Sequence, residues 1–455
     1  MRARLILGWL VILTMVAAIG YAQEAPARKL SLADALEIAR QNNPAYLTKV
    51  SDRYPAAAQA LNSTVSLFTP TASVGGGSSW TQAGLVNLGS GLQYPLNRTQ
   101  ALSWNLSIFY QLSGSSIANR GYYAASLRAA DQDIAGQRTL LETAVKQEYI
   151  NLLEARAQAD LAQHVVARAQ EVLNLAQAQY NVGQKTMIDV RTAQVAKGNA
   201  DVSLLQSQQN VQNEVLKLYQ LLGVPAPEPP NVVPTDTFPV VEPAYSEDSL
   251  VNLALRENPI LLSFRAREGA ANWNVRGAYS SYLPALQFSA SYGKFTQRVY
   301  TQADSGTVVP MPFGPDTIVT KTTGTNPWNV RLGLSLPIFD AFSRHSQVSQ
   351  ARAARQDLQY SIRQQELLVR ESVSAAYLAL LTAYRTIAVR ANNRTAADEA
   401  LSLATERYRV GSGSIIELLD ARVASEQAGV DYVTSVYDYH KAIAALEQAV
   451  GQPLR

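Results

Sequence analysis

The chain carries the sequence YNVGQKTMID at Tyr180–Asp189 and a close copy, YRVGSGSIIE, at Tyr408–Glu417, 228 residues later. An earlier pair starts each half, where SLADALEIARQNNP at Ser31–Pro44 matches SEDSLVNLALRENP at Ser246–Pro259. Spacing this wide excludes a solenoid, whose repeats are roughly 20–50 residues long. We therefore predict that the chain folds as two copies of one structural unit.

A proline-rich segment separates the two copies. Seven prolines lie between Pro225 and Tyr245. Because proline fixes φ and lacks an amide donor, this segment is expected to be extended, and neither a helix nor a central strand. We predict a first structural repeat over 23–225, a linker over 226–245 and a second structural repeat over 246–455.

Both repeats have the same order of elements. A helical stretch, at about 31–68 or 246–282, is followed by segments in which every second residue is apolar, which is typical of half-buried strands. Two long helical stretches then follow, in which apolar residues recur every four positions. The predicted strands lie at about 71–82, 101–112, 285–296 and 328–337. The predicted long helical hairpins lie at about 117–222 and 341–450.

The N-terminus has the pattern of a secretory signal. Arg2 and Arg4 precede an apolar run from Leu5 to Ile19, and Gly20-Tyr21-Ala22 provides small residues at a cleavage site. The apolar run is shorter than the roughly 20 residues that a spanning helix needs. We predict a signal peptide at 1–22 and an exported mature protein.

The composition excludes several classes of function. Charged residues make up 16% of the chain, the net charge is +3, and cysteine is absent. This excludes disulfides and thiolate chemistry, and it gives no basic patch for nucleic acid. No phosphate-binding glycine loop or hydrolase triad is recognisable, and the three histidines form no local metal motif. We predict no enzyme activity, no catalytic residues, no cofactor and no metal site.

The alternating strands indicate a membrane sheet. Strands of about ten residues with one apolar face suit outer-membrane barrels, although antiparallel sheets of soluble proteins show the same alternation. Aromatic residues near the predicted strand ends favour the barrel, in which girdles occupy such positions: Trp104, Tyr110, Tyr292 and Trp328. Four strands cannot close a barrel, and lipid does not tolerate an open edge. Several copies must therefore combine their strands.

The chain resembles the TolC-like outer-membrane efflux proteins over about 30–453. The most specific segments are YRVGSGSIIELLDA at Tyr408–Ala421, its echo at Tyr180–Val190, and LPIFD at Leu336–Asp340. The resemblance implies an α+β membrane protein, a homotrimer whose 12-stranded β-barrel takes four strands from each chain. It also implies that this barrel continues into a long periplasmic α-helical coiled tube.

The same resemblance implies a function and partners. The chain would be the outer-membrane export duct of a tripartite efflux or type I secretion system in a Gram-negative bacterium, with a large periplasmic part. Its partners would be a periplasmic adaptor, an inner-membrane transporter and outer-membrane lipid, but no nucleic acid. The cargo, the particular transporter and adaptor, and the role of the predicted external loop at 301–327 stay open.

The resemblance also assigns roles at the predicted hairpin tips. The acidic constriction and gate of the pore would be formed by Asp420, Glu417, Asp189 and Tyr408. The adaptor would dock on two turns, Val182, Gly183, Gln184 and Lys185 in the first and Val410, Gly411, Ser412 and Gly413 in the second. Local chemistry offers alternatives, since both glycines suit helix C-caps and both Asp189 and Glu417 suit capping boxes.

One departure from the family concerns the gate. The family has an arginine two residues after the second turn glycine, where this sequence has Gly413. The arginine link to Asp189 of a neighbouring copy is therefore absent. Whether Lys185 replaces that arginine is left open by the sequence.

Two other functions remain as alternatives. An exported structural coiled-coil protein would explain the long helices, but it would not need four amphipathic strands. A general diffusion porin would explain the strands, but porins have short periplasmic turns where this chain has long helices.

Overall fold

The computed structural model describes residues 28–82, 86–87, 93–94, 98–228, 230, 232–301, 317–324 and 328–454. The predicted signal peptide lies outside them. The described residues form two compact units. The first contains the described part of Met1–Ser51 together with Ile134–Pro259 and Glu366–Arg455, and the second contains Asp52–Asp133 and Ile260–Gln365. Each unit therefore takes segments from both predicted repeats.

Eight helices account for most of the described residues. They are α1 (Leu32–Asn42), α2 (Pro44–Val65), α3 (Gly114–Asn181), α4 (Met187–Leu222), α5 (Glu247–Glu257), α6 (Pro259–Ser280), α7 (Ser343–Arg409) and α8 (Ile415–Val450). The strands are β1 (Arg28–Leu30), β2 (Thr71–Gln82), β3 (Val86–Asn87), β4 (Gln93–Tyr94), β5 (Arg98–Leu112), β6 (Val232–Pro234), β7 (Ala285–Thr301), β8 (Thr317–Gly324) and β9 (Asn329–Ser335).

In the first unit, an asparagine next to a proline holds the end of each hairpin. The following proline keeps Asn43 and Asn258 out of the helical conformation, so that α1 and α5 end there. The Asn43 amide donates to the Leu221 carbonyl at 2.8 Å, and the Asn258 amide donates to the Ala449 carbonyl at 3.1 Å. Each bond satisfies a carbonyl in the last turn of α4 or α8, which would otherwise lack a helical partner.

A left-handed glycine follows each of these helix ends. Gly223 has φ +73° and Gly451 has φ +91°, a region that side chains disfavour. A Cβ atom at Gly223 would lie 2.4 Å from the Asn42 carbonyl oxygen, and one at Gly451 would lie 2.7 Å from Pro259 Cδ. Both sites therefore require glycine for its conformation and for its small size.

Tyrosines tie the start of each half to a long helix. The Tyr149 hydroxyl donates to the Leu30 carbonyl at 2.9 Å, and the Tyr377 hydroxyl donates to the Tyr245 carbonyl at 3.0 Å. The described residues of the linker contain no helix, and its strand β6 pairs in parallel with β1. Three apolar clusters form the core of this unit. Their fully buried members include Tyr149, Leu218 and Leu222 in the first, Val373, Tyr439 and Leu446 in the second, and Ala176, Tyr408 and Leu418 in the third.

The second unit contains an antiparallel sheet with four strand positions. β2 pairs with β5, β5 pairs with β7, and β7 pairs along its outer side with β9 and then with β8. The fourth position is therefore filled by two consecutive segments. The predicted loop at 301–327 thus contains a strand, which its prolines obscure although the Thr-rich run at 317–324 has high strand propensity.

The register places most apolar positions of the sheet on one face, whereas Phe109 and Phe295 lie on the opposite face. Ala72, Ile108, Ala290 and Val330 form one row across the sheet, and the next row on the opposite face is Ser73, Ser107, Ser291 and Asn329. The apolar face is uncovered, with Val74 77% exposed and Leu334 72% exposed. Among the described residues of this unit, no strand pairs with the outer edge of β2 or with the outer edge of β9.

Two of the four predicted girdle residues, Trp104 and Tyr292, lie further from strand ends than predicted, whereas Trp328 directly precedes β9. β5 begins at Arg98 and β7 continues to Thr301, so both strands extend beyond the predicted limits. Trp104 and Tyr292 therefore lie within strands, where their rings meet edge to face at 5.6 Å. Tyr110 lies near a strand end, and its hydroxyl donates to the Leu67 carbonyl at 2.6 Å.

The glycine sites allow a matched test. Gly183 has φ +78°, like Gly223, but nothing lies within 4 Å of the position that a Cβ atom would take there. We expect Gly183→Ala to cost about 1–2 kcal/mol of unfolding free energy for the left-handed conformation alone. Gly223→Ala should cost a further ~1–3 kcal/mol because its methyl group overlaps backbone atoms. Equilibrium unfolding that gives equal losses for the two variants would contradict this packing.

Candidate functional site at the hairpin tips

The two long hairpins of the chain end side by side in the first unit. The last turns of α3 and α7 and the first turns of α4 and α8 share the third apolar cluster. Its members include Ala176 and Val190 from the first hairpin, and Tyr408 and Leu418 from the second. The two predicted docking turns are therefore held together within one chain.

Both turns are closed by glycine C-caps. Gly183 and Gly411 have φ +78° and +82°. In the first turn the Gln184 amide donates to the Gln179 carbonyl at 2.9 Å, and in the second the Ser412 amide donates to the Arg407 carbonyl at 2.9 Å. These bonds satisfy the last carbonyls of α3 and α7, as glycine caps generally do. Val182 and Val410, next to the glycines, are 70% and 74% exposed.

The two predicted capping boxes differ. Asp189 accepts hydrogen bonds from the Thr186 amide at 2.9 Å and from the Thr186 hydroxyl at 2.7 Å. Burial opposes ionisation of Asp189, but these bonds and the charge of Lys185 outweigh it and lower the pKa of this carboxyl. At Ser414 only half of the box forms, because the Glu417 carboxylate accepts a hydrogen bond from Arg407 instead.

Lys185 joins the two turns. Its ammonium donates to the Gly413 carbonyl at 2.8 Å and lies 4.8 Å from the centre of the Tyr408 ring. A Cβ atom at Gly413 would be 3.0 Å from the Tyr408 nitrogen, so this turn leaves little room for a side chain. Lys185 thus adds a cation to the second turn from the first hairpin, through a contact within the chain.

Gln179 adds a second link between the hairpins. Its side-chain amide donates to the Tyr408 carbonyl at 3.1 Å and to the Arg409 carbonyl at 3.0 Å. Together with Lys185, it provides donors and positive charge to the C-terminal end of α7, where the helix dipole favours both. Sequence reasoning missed Gln179 and Arg407. Gln179 and Arg407 occupy equivalent positions in the two repeats, directly before Tyr180 and Tyr408, and this equivalence could have identified them.

Tyr408 is fully buried, with 0% exposure. Its hydroxyl has no hydrogen-bond partner among the described residues. Burial, together with the charge of Asp189, raises the pKa of Tyr408 to about 12. Within one chain Tyr408 therefore packs the tip, and its side chain lines no surface.

Among the three acidic residues predicted for the constriction, Asp420 has the side chain with the fewest contacts to other described residues. It is exposed on the second turn of α8. In the described part of the chain, no lysine, arginine or histidine forms an ion pair with it, whereas Glu417 is paired with Arg407. Among the residues between 28 and 454 that the structure describes, no group of three acidic or histidine side chains could hold a metal ion.

Removing the Lys185 cation should loosen the contact between the hairpins. We expect Lys185→Met to increase the mean distance between spin labels on cysteines introduced at Gln184 and Ser412, and to broaden the distribution of that distance. The lost hydrogen bond and cation–π contact contribute about 1 kcal/mol each. The natural chain lacks cysteine, so only these sites are labelled.

Lys197→Met is the matched control for this test, since the ion pair that the structure gives for Lys197 among the described residues is with Asp201 on its own helix, at 2.6 Å. Its label distances should equal those of the unaltered chain. Identical distance distributions for the Lys185 and Lys197 variants would show that Lys185 does not hold the turns together.

Comparison with known proteins assigns this fold to a family. The family model described as "Outer membrane efflux protein" matches residues 35–224 and 250–452. The chain is 23% identical over 429 residues to the outer membrane protein TolC of Vibrio cholerae, covering 92% of this chain and 90% of that protein. It is 25% identical over 410 residues to TolC of Escherichia coli, covering 88% and 78%.

Solved structures with the same fold include the outer membrane protein VceC of Vibrio cholerae. That structure matches with a TM-score of 0.71 at 18% identity, covering 93% of this chain and 97% of the other. The outer-membrane channel OprN matches with a TM-score of 0.73 at 19% identity, covering 92% and 89%. Since the family model covers most of the sequence, the chain belongs to the outer membrane efflux protein family.

Proposed function

We propose that this protein is an outer-membrane efflux duct that passes cargo from the periplasm to the exterior of a Gram-negative bacterium. The observation that carries the proposal is the sheet of the second unit, which has one uncovered apolar face and one largely polar face. Among the described residues, no strand pairs with either of its outer edges. Lipid suits the apolar face and water suits the polar face. The long helical hairpins distinguish this chain from a porin.

The open edges support assembly of several copies. Backbone groups at the edges of β2 and of β8 and β9 cannot remain unpaired in hydrocarbon. Joining the last strand of one copy to β2 of the next satisfies both edges. With four strand positions in each chain, three copies give the 12-stranded barrel that the family resemblance implies, and the two structural repeats supply two strand positions each.

Exposed apolar residues on the helices support the same assembly. On α4, Ile188, Val195 and Val202 are exposed and spaced by seven residues, a pattern typical of coiled-coil contacts. On α7, a stretch of 18 residues is apolar enough to cross a membrane, yet only 11% of it is buried within one chain. Contacts with a neighbouring copy would cover both surfaces, as expected for a periplasmic tube of helices.

The hairpin tips suit a gated inner end of this duct. A ring of Asp420 carboxylates from several copies would favour cations. Glu417, Asp189 and Tyr408 support the ring by shaping the turns, and Lys185 is the latch within each chain in place of the absent arginine. The exposed Val182 and Val410 suit docking of a periplasmic adaptor, which would connect the duct to an inner-membrane transporter. The alternative to be tested is an exported coiled-coil rod.

The test is conductance of the detergent-extracted mature protein in a planar lipid bilayer. A duct with an acidic constriction should insert and give small, cation-selective currents. A coiled-coil rod would stay soluble without detergent and would give no current, and that result would refute the proposed function.

Two variants test which carboxylates make the pore selective for cations. Asp420→Asn should shift the reversal potential in a salt gradient towards zero, because it removes an unpaired carboxylate from the constriction. Glu417→Gln should shift it less, because Arg407 already balances the charge of Glu417. Equal reversal potentials for the unaltered protein and Asp420→Asn would exclude Asp420 from the conducting path.

A further inference from the structure

A pair of glutamates lies between α3 and α4, far along both helices from the tips. Glu148 is on α3 and Glu214 is on α4, and their carboxyl groups lie close enough to hydrogen-bond once one of them carries a proton. Glu214 is 7% exposed. The adjoining residues Tyr149, Val215 and Leu218 belong to the first apolar cluster, so the pair borders a dry core.

The remaining contacts leave one oxygen of each carboxyl without a donor. Glu148 Oε2 accepts from the Asn151 amide at 3.2 Å, and Glu214 Oε1 accepts from the Lys217 ammonium at 2.7 Å. Glu148 Oε1 and Glu214 Oε2 are both buried, and no N–H or O–H group of the described residues donates to either. Two ionised carboxylates cannot hydrogen-bond to each other, since both would be acceptors only.

The charges around the two carboxyl groups are balanced when the pair carries one proton. Two ionised glutamates and Lys217 would carry a net charge of −1, which a single proton neutralises. Lys441 on α8 is the other cation that acts on Glu214, and it is held by Glu154 at 2.6 Å. A divalent cation at the same place would leave an excess of positive charge in a buried position, which is unfavourable.

We propose that Glu148 and Glu214 share one proton, and that this proton clamps α3 to α4 and makes the packing of the hairpin sensitive to pH. Glu148 is the protonated partner, because burial and the hydrogen bond that its hydroxyl would donate to the Glu214 carboxylate raise the pKa of Glu148 to about 7. The corresponding positions of the second half carry no carboxyl groups. The positions 228 residues further on are Ala376 and Ala442, which pack against the second apolar cluster.

The sign of the pH effect follows from the raised pKa. The folded protein keeps this proton at pH values where an exposed glutamate has lost it, so the folded state binds more protons than the opened state. Stability from the clamp is therefore complete at pH values below the pKa of an exposed glutamate and falls as the pH rises towards 7. Above that range both states are ionised and no further loss is expected.

Hydrogen–deuterium exchange of the assembled protein tests this clamp. In peptides covering 141–155 and 208–222, the opening constant, corrected for intrinsic exchange, should rise up to about tenfold per pH unit between about pH 5 and 7. Glu148→Gln should abolish this slope, because its amide donates to Glu214 at every pH. Asp201→Asn, which removes an exposed carboxylate from the same α4, should keep it.

Two further measurements separate a shared proton from a purely structural role. Infrared difference spectra should show a protonated carboxyl near pH 6 that Glu148→Gln removes. The double variant Glu148→Ala with Glu214→Ala, which copies the second half, should fold and show no slope. The proposal is overturned if the unaltered protein shows no slope, if Glu148→Gln retains it, or if added Mg²⁺ restores protection at pH 8.

Discussion

Backbone hydrogen bonding at the two outer edges of the sheet is the constraint on which the rest of this protein depends. Inside one chain, β2 and the β8–β9 position each have one side without a paired strand among the described residues. Water could satisfy those groups, but the uncovered apolar face on the same strands suits lipid. In lipid, only another strand can pair with those backbone groups. In the proposed function, a chain built in this way is complete only beside other copies of itself. The exposed apolar positions on α4 and α7 agree with the same conclusion.

Much of the fold could be predicted from local patterns. Alternation marked the strands, and glycines marked the ends of the long helices. The breaks at Asn43 and Asn258 were not predicted, since both helical stretches were expected to continue through them. β8 was missed because its Thr-rich sequence lacks alternation. The lengths of β5 and β7 were underestimated because residues beyond the apolar stretch carry no periodic signal. The division into compact units was not predictable from the repeats, since each unit combines segments that are distant in sequence.

The tip was predictable where its chemistry is local. The glycine turns and the Thr186–Asp189 box follow from residues a few positions apart. The contacts of Lys185 with Gly413 and of Gln179 with Tyr408 join positions almost 230 residues apart, and a single sequence gives no sign of them. Those cross-hairpin contacts make Lys185 part of the structure of one chain, where the sequence alone left its role open.

The number of copies in the assembled protein tests the dependence on paired edges most directly. Native mass spectrometry of the detergent-extracted mature protein measures it without assumptions about shape. We expect one species that contains three chains, because four strand positions from each then close a barrel with no free edge. A folded species of one or two chains would leave edges unpaired in the membrane and would contradict this dependence.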